Sequence, residues 1–298
     1  MPAPNAMGSL LLIGAMASFS LSDALVQRAG SGLQSAHLAW LRYVLLLLST
    51  LPLLVRNPSL ARSKRPGVQV LRAVGLVGSA VLFLQGLKAL PIADATALVF
   101  ASPLYVTLLS ALLLREPVGL LRNLPVMLGF TGVLIVAQPG GAGFNAAMLY
   151  PMLSSMAWAT SVICTRLLSD SDSATTTMLY SAALGVVALS PTLGTADAAA
   201  VAAQWPWLLA MAVAWCMAQW MVILAYRLAP PGAIAPFSYS QMLWAAILGW
   251  LMFSQVPSAR TAVGMSVIAL SGVMAAWMAN RPTSAPAYSG RQPPPSTL

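Results

Sequence analysis

From Gly8 to Ala279 the sequence runs as ten apolar stretches, at 8–27, 37–55, 70–88, 93–114, 122–138, 147–168, 176–193, 205–227, 233–253 and 261–279. Each approaches the ~20 residues that a helix needs to cross a bilayer. Within lipid, only helices and closed barrels satisfy their own backbone groups. The stretches therefore predict an all-α membrane protein with ten transmembrane helices. The breaks carry turn chemistry: Gly30-Ser31-Gly32, Asn57-Pro58, Pro91, Glu116-Pro117, Pro139-Gly140-Gly141, Asp170-Ser171-Asp172, Pro230-Pro231-Gly232 and Pro257. They leave no room for a soluble domain. With 59% hydrophobic and 7% charged residues, the chain falls far below the roughly 25% charge of soluble domains.

The basic surplus, 15 Lys and Arg against 6 Asp and Glu, lies between the apolar runs, so it argues for membrane orientation and against a nucleic-acid partner. With the N-terminus inside, Arg56, Arg62, Lys64, Arg65, Arg72, Arg115, Arg122, Arg166, Arg227, Arg281 and Arg291 fall on the inner side. Arg28, Arg42, Lys88 and Arg260 fall on the outer side. This bias predicts both termini in the cytoplasm of a bacterial-type inner membrane. The first stretch sits where a signal peptide would, but lacks a basic n-region and an Ala-x-Ala site, and is expected to stay as the first helix. The residues after Asn280, rich in Pro and Ser, are expected to be a disordered cytoplasmic tail, 280–298.

The second half repeats the first. A shift of 138 pairs Arg28 with Arg166, and 139 pairs Lys88 with Arg227, Tyr105 with Trp244 and Glu116 with Gln255. A shift of 140 pairs Gly132-Val133 with Gly272-Val273. Two five-helix repeats follow, 8–138 and 147–279. Five is odd, so the second must enter the membrane from the opposite side. Inverted repeats of this kind mark secondary transporters, whose substrate site lies near the midplane between the halves.

The runs Ala93-Asp94-Ala95-Thr96-Ala97-Leu98, Ser102-Pro103-Leu104-Tyr105-Val106-Thr107, Glu116 and Gly129-Phe130-Thr131-Gly132-Val133 resemble the EamA-type repeat of the drug/metabolite transporter superfamily. The resemblance spans about residues 8 to 280. It implies ten helices, cytoplasmic termini and a cavity worked by alternating access. Gln255 stands where the family's second repeat usually has Glu, so any role of that charge is absent here. Export of an amino acid or an amino-acid-derived compound, including an opine-type metallophore, is the first expectation. Import of riboflavin or S-adenosylmethionine is the second, and a non-transporting membrane protein the third.

Asp23 and Arg42 are the charges most clearly at membrane depth, both ~6–8 Å toward the outer face at 1.5 Å per residue. A lone charge there is costly, so they are expected to pair, either as a structural ion pair or as an ion- or proton-responsive site. Asp94 follows Pro91 and is expected to cap the fourth helix. Glu116 reads as a turn residue.

Polar and aromatic residues within helices are the candidates for lining a cavity, because membrane-depth polar groups turn toward the bundle interior. They are Gln85, Ser102 and Tyr105 in the third and fourth helices, and Trp158 and Tyr180 in the sixth and seventh. Trp215, Gln219, Tyr239, Gln241 and Trp244 belong to the eighth and ninth. Ser102 and Tyr105 are expected to face Tyr239, Gln241 and Trp244 across the pseudo-twofold. Trp205 and Trp207 read as interface anchors. Pro103 and Pro236 interrupt the fourth and ninth helices, which are taken as cavity walls. Gly129, Gly132, Gly264, Ser271 and Gly272 put small residues at helical spacing on the fifth and tenth, suited to close packing.

No phosphate-binding Gly-Lys-Ser/Thr loop, metal-ligand cluster or activated nucleophile occurs, so neither an enzyme nor a cofactor is expected. Cys164 and Cys216 lie inside apolar stretches and read as packing residues, and His37 sits at a helix edge. The expected partners are a small-molecule substrate and the bilayer. Monomer and homodimer stay open.

Overall fold

The computed structural model describes residues 4–29, 32–113, 120–138, 144–168, 171–228 and 234–279. The first repeat holds α1 (Pro4–Ala29), α2 (Ser35–Arg56), α3 (Pro66–Ala89), α4 (Ile92–Val99), α5 (Ser102–Leu113) and α6 (Leu120–Ala137). The second holds α7 (Leu149–Leu168), α8 (Ala174–Leu189), α9 (Ala198–Leu228), α10 (Ser240–Phe253) and α11 (Ala259–Ala279). Short 3₁₀ turns occupy Pro58–Ala61, Ala146–Met148, Ser190–Thr195 and Ala235–Tyr239. The charged turn Arg115-Glu116-Pro117 and the tail lie outside the described residues.

Local chemistry explains the helix starts. Pro66 opens α3 with a residue whose missing N–H costs nothing in a first turn. Ser173 caps α8, its hydroxyl accepting from the Thr176 amide at 3.0 Å. Gln34 and His37 form a reciprocal cap at α2.

The fourth and ninth apolar stretches depart from single helices. The fourth breaks at Phe100-Ala101, where the amides bond three residues back, to Ala97 and Leu98. Pro103 has no N–H for the Val99 carbonyl, so the α-helical ladder cannot run on through this point. The ninth opens as the Ala235–Tyr239 turn, which contains Pro236, and becomes α-helical at Ser240. The prolines are not equivalent under the repeat, but the breaks are: a shift of 139 carries Phe100 onto Tyr239.

The closest packing joins helices of different repeats. In the two halves α1 lies on α9 as α7 lies on α3, and α1 meets α10 as α7 meets α4 and α5. The self-paired contacts are α2 with α8 and α6 with α11. This exchange of partners is the signature of a pseudo-twofold, and two inverted five-helix repeats are interlaced in one core. Large apolar side chains at the periphery, such as Leu10, Val55, Leu251 and Leu270, remain exposed, as a lipid-facing surface requires.

The small residues of α6 and α11 do what their spacing predicts. A Cβ on Gly132 would stand 2.7 Å from the Gly264 carbonyl oxygen, and one on Gly129 2.6 Å from Ser271 Oγ. Lipid tails are as apolar as leucine, so such backbone contact, and not water exclusion, holds helices together in a bilayer.

Candidate functional site

Asp23 on α1 and Arg42 on α2 form an ion pair of 3.0 Å, each only 3% exposed. Arg42 Nη2 also donates to Ser22 Oγ at 2.7 Å, and Ser22 Oγ donates onward to the Met211 carbonyl of α9 at 2.8 Å. Trp215 closes the site, its ring centroid 6.0 Å from the guanidinium carbon and edge-on to Tyr43. The charges are thus sealed among α1, α2 and α9, and the network ties the first repeat to the second.

At the two helix breaks, Phe100 and Tyr239 stack, with ring centroids 5.0 Å apart and planes inclined by 26°. Two residues related by a twofold can touch only close to its axis, so the breaks meet on the pseudo-twofold. A cavity of about 40 Å³ adjoins the stack, walled also by Pro125, Phe130 and Ser271. The Tyr239 ring occupies the space that a side chain on Gly272 would need.

A larger cavity, about 440 Å³, opens between the repeats where α1, α3 and α10 end. Its polar lining is Gln27, Lys88 and Gln255. Gln27 Nε2 donates to the carbonyls of Leu87 at 2.8 Å and Leu90 at 2.6 Å, while Gln255 Nε2 approaches Gln27 Oε1 at 3.5 Å. Lys88 Nζ donates to the Leu33 carbonyl. Gln255 is aimed by its backbone: Ser254 takes the left-handed conformation (φ 55°), and the Gln255 amide folds back to the Gly249 carbonyl at 3.0 Å. The buried Gln255 Oε1 has no partner among the described residues. A second cavity of about 220 Å³ shares Pro91 and Gln255 and reaches Asp94 and Arg260. Asp94 is not a cap. It lies within the first turn of α4, behind the N-cap position held by Pro91, and its Oδ1 accepts from the buried Thr261 Oγ1 of α11 at 2.6 Å.

At the opposite end of the bundle, Asp172 gathers the segment between α2 and α3. It accepts from Ser63 Oγ, from the Lys64 amide at 3.0 Å and from Gln69 Nε2 at 2.8 Å. Desolvation pushes its pKa up, but these hydrogen bonds and the Lys64 charge outweigh that and hold the carboxyl below its ordinary 3.8.

The residues singled out from the sequence do not form one cluster. Tyr105, Tyr239 and Trp215 belong to the main core, whereas Trp244 packs in a smaller cluster with Leu12, Met16 and Ile234. Gln85 Oε1 accepts from Ser35 Oγ at 2.8 Å, and Tyr180 donates to the Ala61 carbonyl at 3.0 Å, so both tie neighbouring segments together. Trp158 is 41% exposed on α7. Ser102, Gln219 and Gln241 are half-buried, and the Gln241 carbonyl accepts from Ser20 Oγ at 3.1 Å. Trp205 and Trp207 are exposed, with Arg28 lying 4.7 Å over the Trp207 ring. Sequence reasoning passed over Phe100, Gln27 and Lys88. Gln27 carried a signal, as an amide at the end of an apolar stretch. Phe100 carried none. Among the described residues no three His, Cys, Asp or Glu are grouped to hold a metal ion.

Interlaced inverted repeats around broken helices, with cavities between the halves, define a membrane transporter. The EamA-like transporter family model matches residues 6–138 and again 145–277, and the chain belongs to that family. A riboflavin transporter of Vibrio cholerae is 31% identical over 130 residues, 43% of each chain. That match therefore spans less than half of this relative's length. A riboflavin transporter of Brucella anthropi is 27% identical over 267 residues, 86% of this chain and 94% of its own. A solved crystal structure, 18% identical, aligns with a TM-score of 0.65 over 93% of this chain and 98% of its own, a likeness of fold alone.

Proposed function

We propose that the chain is a secondary carrier of a bacterial inner membrane, both termini in the cytoplasm, which takes up a cofactor-like solute by alternating access between its repeats. Riboflavin is the first solute to test. The observation that carries this reading is the 440 Å³ cavity bounded by both repeats. That volume lies within the range of small-molecule sites. Gln255 brings to its wall a carboxamide whose Oε1 has no partner among the described residues, an acceptor suited to the imide N–H of a flavin ring. The likeness to the riboflavin transporters of Vibrio cholerae and Brucella anthropi supports the same solute.

Export of an amino-acid-type compound is the second reading, favoured by Lys88, whose ammonium suits a carboxylate. In either reading the path runs between the repeats 8–138 and 147–279, ahead of a cytoplasmic tail, 280–298, and draws its lining from among Gln85, Ser102, Tyr105, Trp158, Tyr180, Trp215, Gln219, Tyr239, Gln241 and Trp244. Expression in a riboflavin auxotroph without its own uptake system tests the reading. Growth on low riboflavin with uptake of labelled vitamin is expected. Membrane-inserted protein without growth, together with amino-acid derivatives enriched in the medium, would replace it with the export reading.

A further inference from the structure

We propose that Phe100 and Tyr239 form a two-sided stacking subsite, which admits a planar ring of the solute between them at the crossing of the repeats. This rests on the carrier reading but not on the identity of the solute.

Three observations converge on the pair. The residues are equivalent under the 139-residue repeat and yet touch, so they lie on the pseudo-twofold, the line that both repeats share. Each sits at the break of its helix, the place where a carrier with inverted repeats builds its transport site. Their rings are already near-parallel, at 5.0 Å and 26°, as the two walls of a slot would be. Edge-to-face contact, seen between Tyr43 and Trp215, would offer no such slot.

In this conformation the slot is closed, since the adjoining cavity of about 40 Å³ is too small for a ring. Admitting a ring needs about 7 Å between the two aromatic planes, two layers of ~3.5 Å carbon contact. The breaks make that movement local. The helical pieces on either side of Phe100, and the turn ahead of Ser240, can tilt without bending a continuous ladder. The Tyr239 ring packs directly on Gly272, where any side chain would displace it, so its place in the stack depends on that glycine. The chemical class is thus a flat aromatic heterocycle, held by faces and not by charge.

The test uses the full chain in lipid nanodiscs, titrated with lumichrome, a flavin ring without its sugar chain, and read by quenching of the ring's fluorescence. Wild type is expected to quench. F100A and Y239A should weaken binding at least tenfold. F100L and Y239L, which keep bulk but remove the aromatic face, should do the same while retaining the wild-type elution profile and melting temperature. Y239F and F100Y, which keep both faces, should restore binding, and ribitol should not compete. Leucine variants that bind within twofold of wild type, or a wild type that does not bind lumichrome, would overturn the proposal. Lumichrome binding without riboflavin uptake would remove the solute assignment and leave the subsite. Riboflavin uptake unchanged in F100L and Y239L would do the reverse.

Discussion

The Asp23 carboxylate and the Arg42 guanidinium lie 3.0 Å apart between α1 and α2, with Trp215 of α9 covering the arginine. Removing one partner strands the other charge in a low-dielectric interior, a loss of about 3–5 kcal/mol. Removing both with apolar residues of similar volume costs far less. D23L and R42M are therefore expected to fall sharply in folded yield, and the D23L/R42M double variant to recover most of it. Size-exclusion yield and thermal melts in detergent measure this. Because Tyr43 and Trp215 enclose the pair, the double variant is expected to keep the pH profile of wild-type transport in proteoliposomes. A flattened profile would assign the pair to proton coupling.

Backbone contact between α6 and α11 makes a second expectation. G132A places a methyl group against the Gly264 carbonyl, and G264A places one against the Gly132 carbonyl. Overpacking of this kind costs about 1–3 kcal/mol. Gly67 and Gly78 have nothing within 4 Å of the same added group. Alanine there only gains helix propensity, roughly 0.5–1 kcal/mol. Melting temperatures should fall for G132A and G264A and hold or rise for G67A and G78A. Equal behaviour of all four would refute the close crossing.

What the sequence made legible follows from its strongest physical signal. Length and polarity of the apolar stretches mark the helices, because lipid tolerates few alternatives. The repeat marks their pairing, since an odd number of crossings inverts the second copy. Side-chain neighbours were harder. Tyr105 and Trp244 are equivalent in sequence and were expected to face each other, yet they pack in different clusters. A twofold brings equivalent residues together only near its axis. Positions 100 and 239 meet that condition, and positions 105 and 244, five residues further along, do not. Pro103 and Pro236 signalled interruption, but the stack at Phe100 depends on where the axis falls, which no local pattern encodes. Asp94 showed the same limit: its neighbours in sequence suggested a cap, and its partner, Thr261, comes from 167 residues away.

Asp172 gives a pH expectation at the opposite end of the bundle. Its folded-state pKa is depressed, so the stabilisation it brings is present above 3.8 and fades only as the pH falls below that value. Protection factors for hydrogen exchange of the 57–65 segment, corrected for the intrinsic pH dependence of exchange, should therefore be unchanged from pH 8 to pH 5. D172A removes the acceptor for Ser63, Lys64 and Gln69. Charged hydrogen bonds contribute about 1.5–3 kcal/mol, discounted here because the carboxylate is exposed to water. Exchange in D172A should be roughly tenfold faster at neutral pH. Wild-type protection lost already near pH 6 would contradict the depressed value.

Lys88 and Gln255 line the larger cavity with different chemistry, and that difference separates the two solute classes. The ammonium of Lys88 offers charge, whereas the Gln255 Oε1 atom, buried and without a partner among the described residues, offers an acceptor for an N–H. A neutral flavin needs the acceptor more than the charge. For riboflavin, Q255A is expected to raise KM by about three- to tenfold, the effect of one lost hydrogen bond, with kcat little changed. K88M should leave KM for riboflavin within about twofold, since no full charge on the solute meets it. For a carboxylate-bearing solute the order reverses, because a charge-assisted bond contributes roughly twice a neutral one. Uptake kinetics of K88M and Q255A, measured side by side in proteoliposomes with riboflavin and with an amino-acid derivative, decide it. A KM for riboflavin that responds to K88M and not to Q255A would shift the assignment to the anionic class.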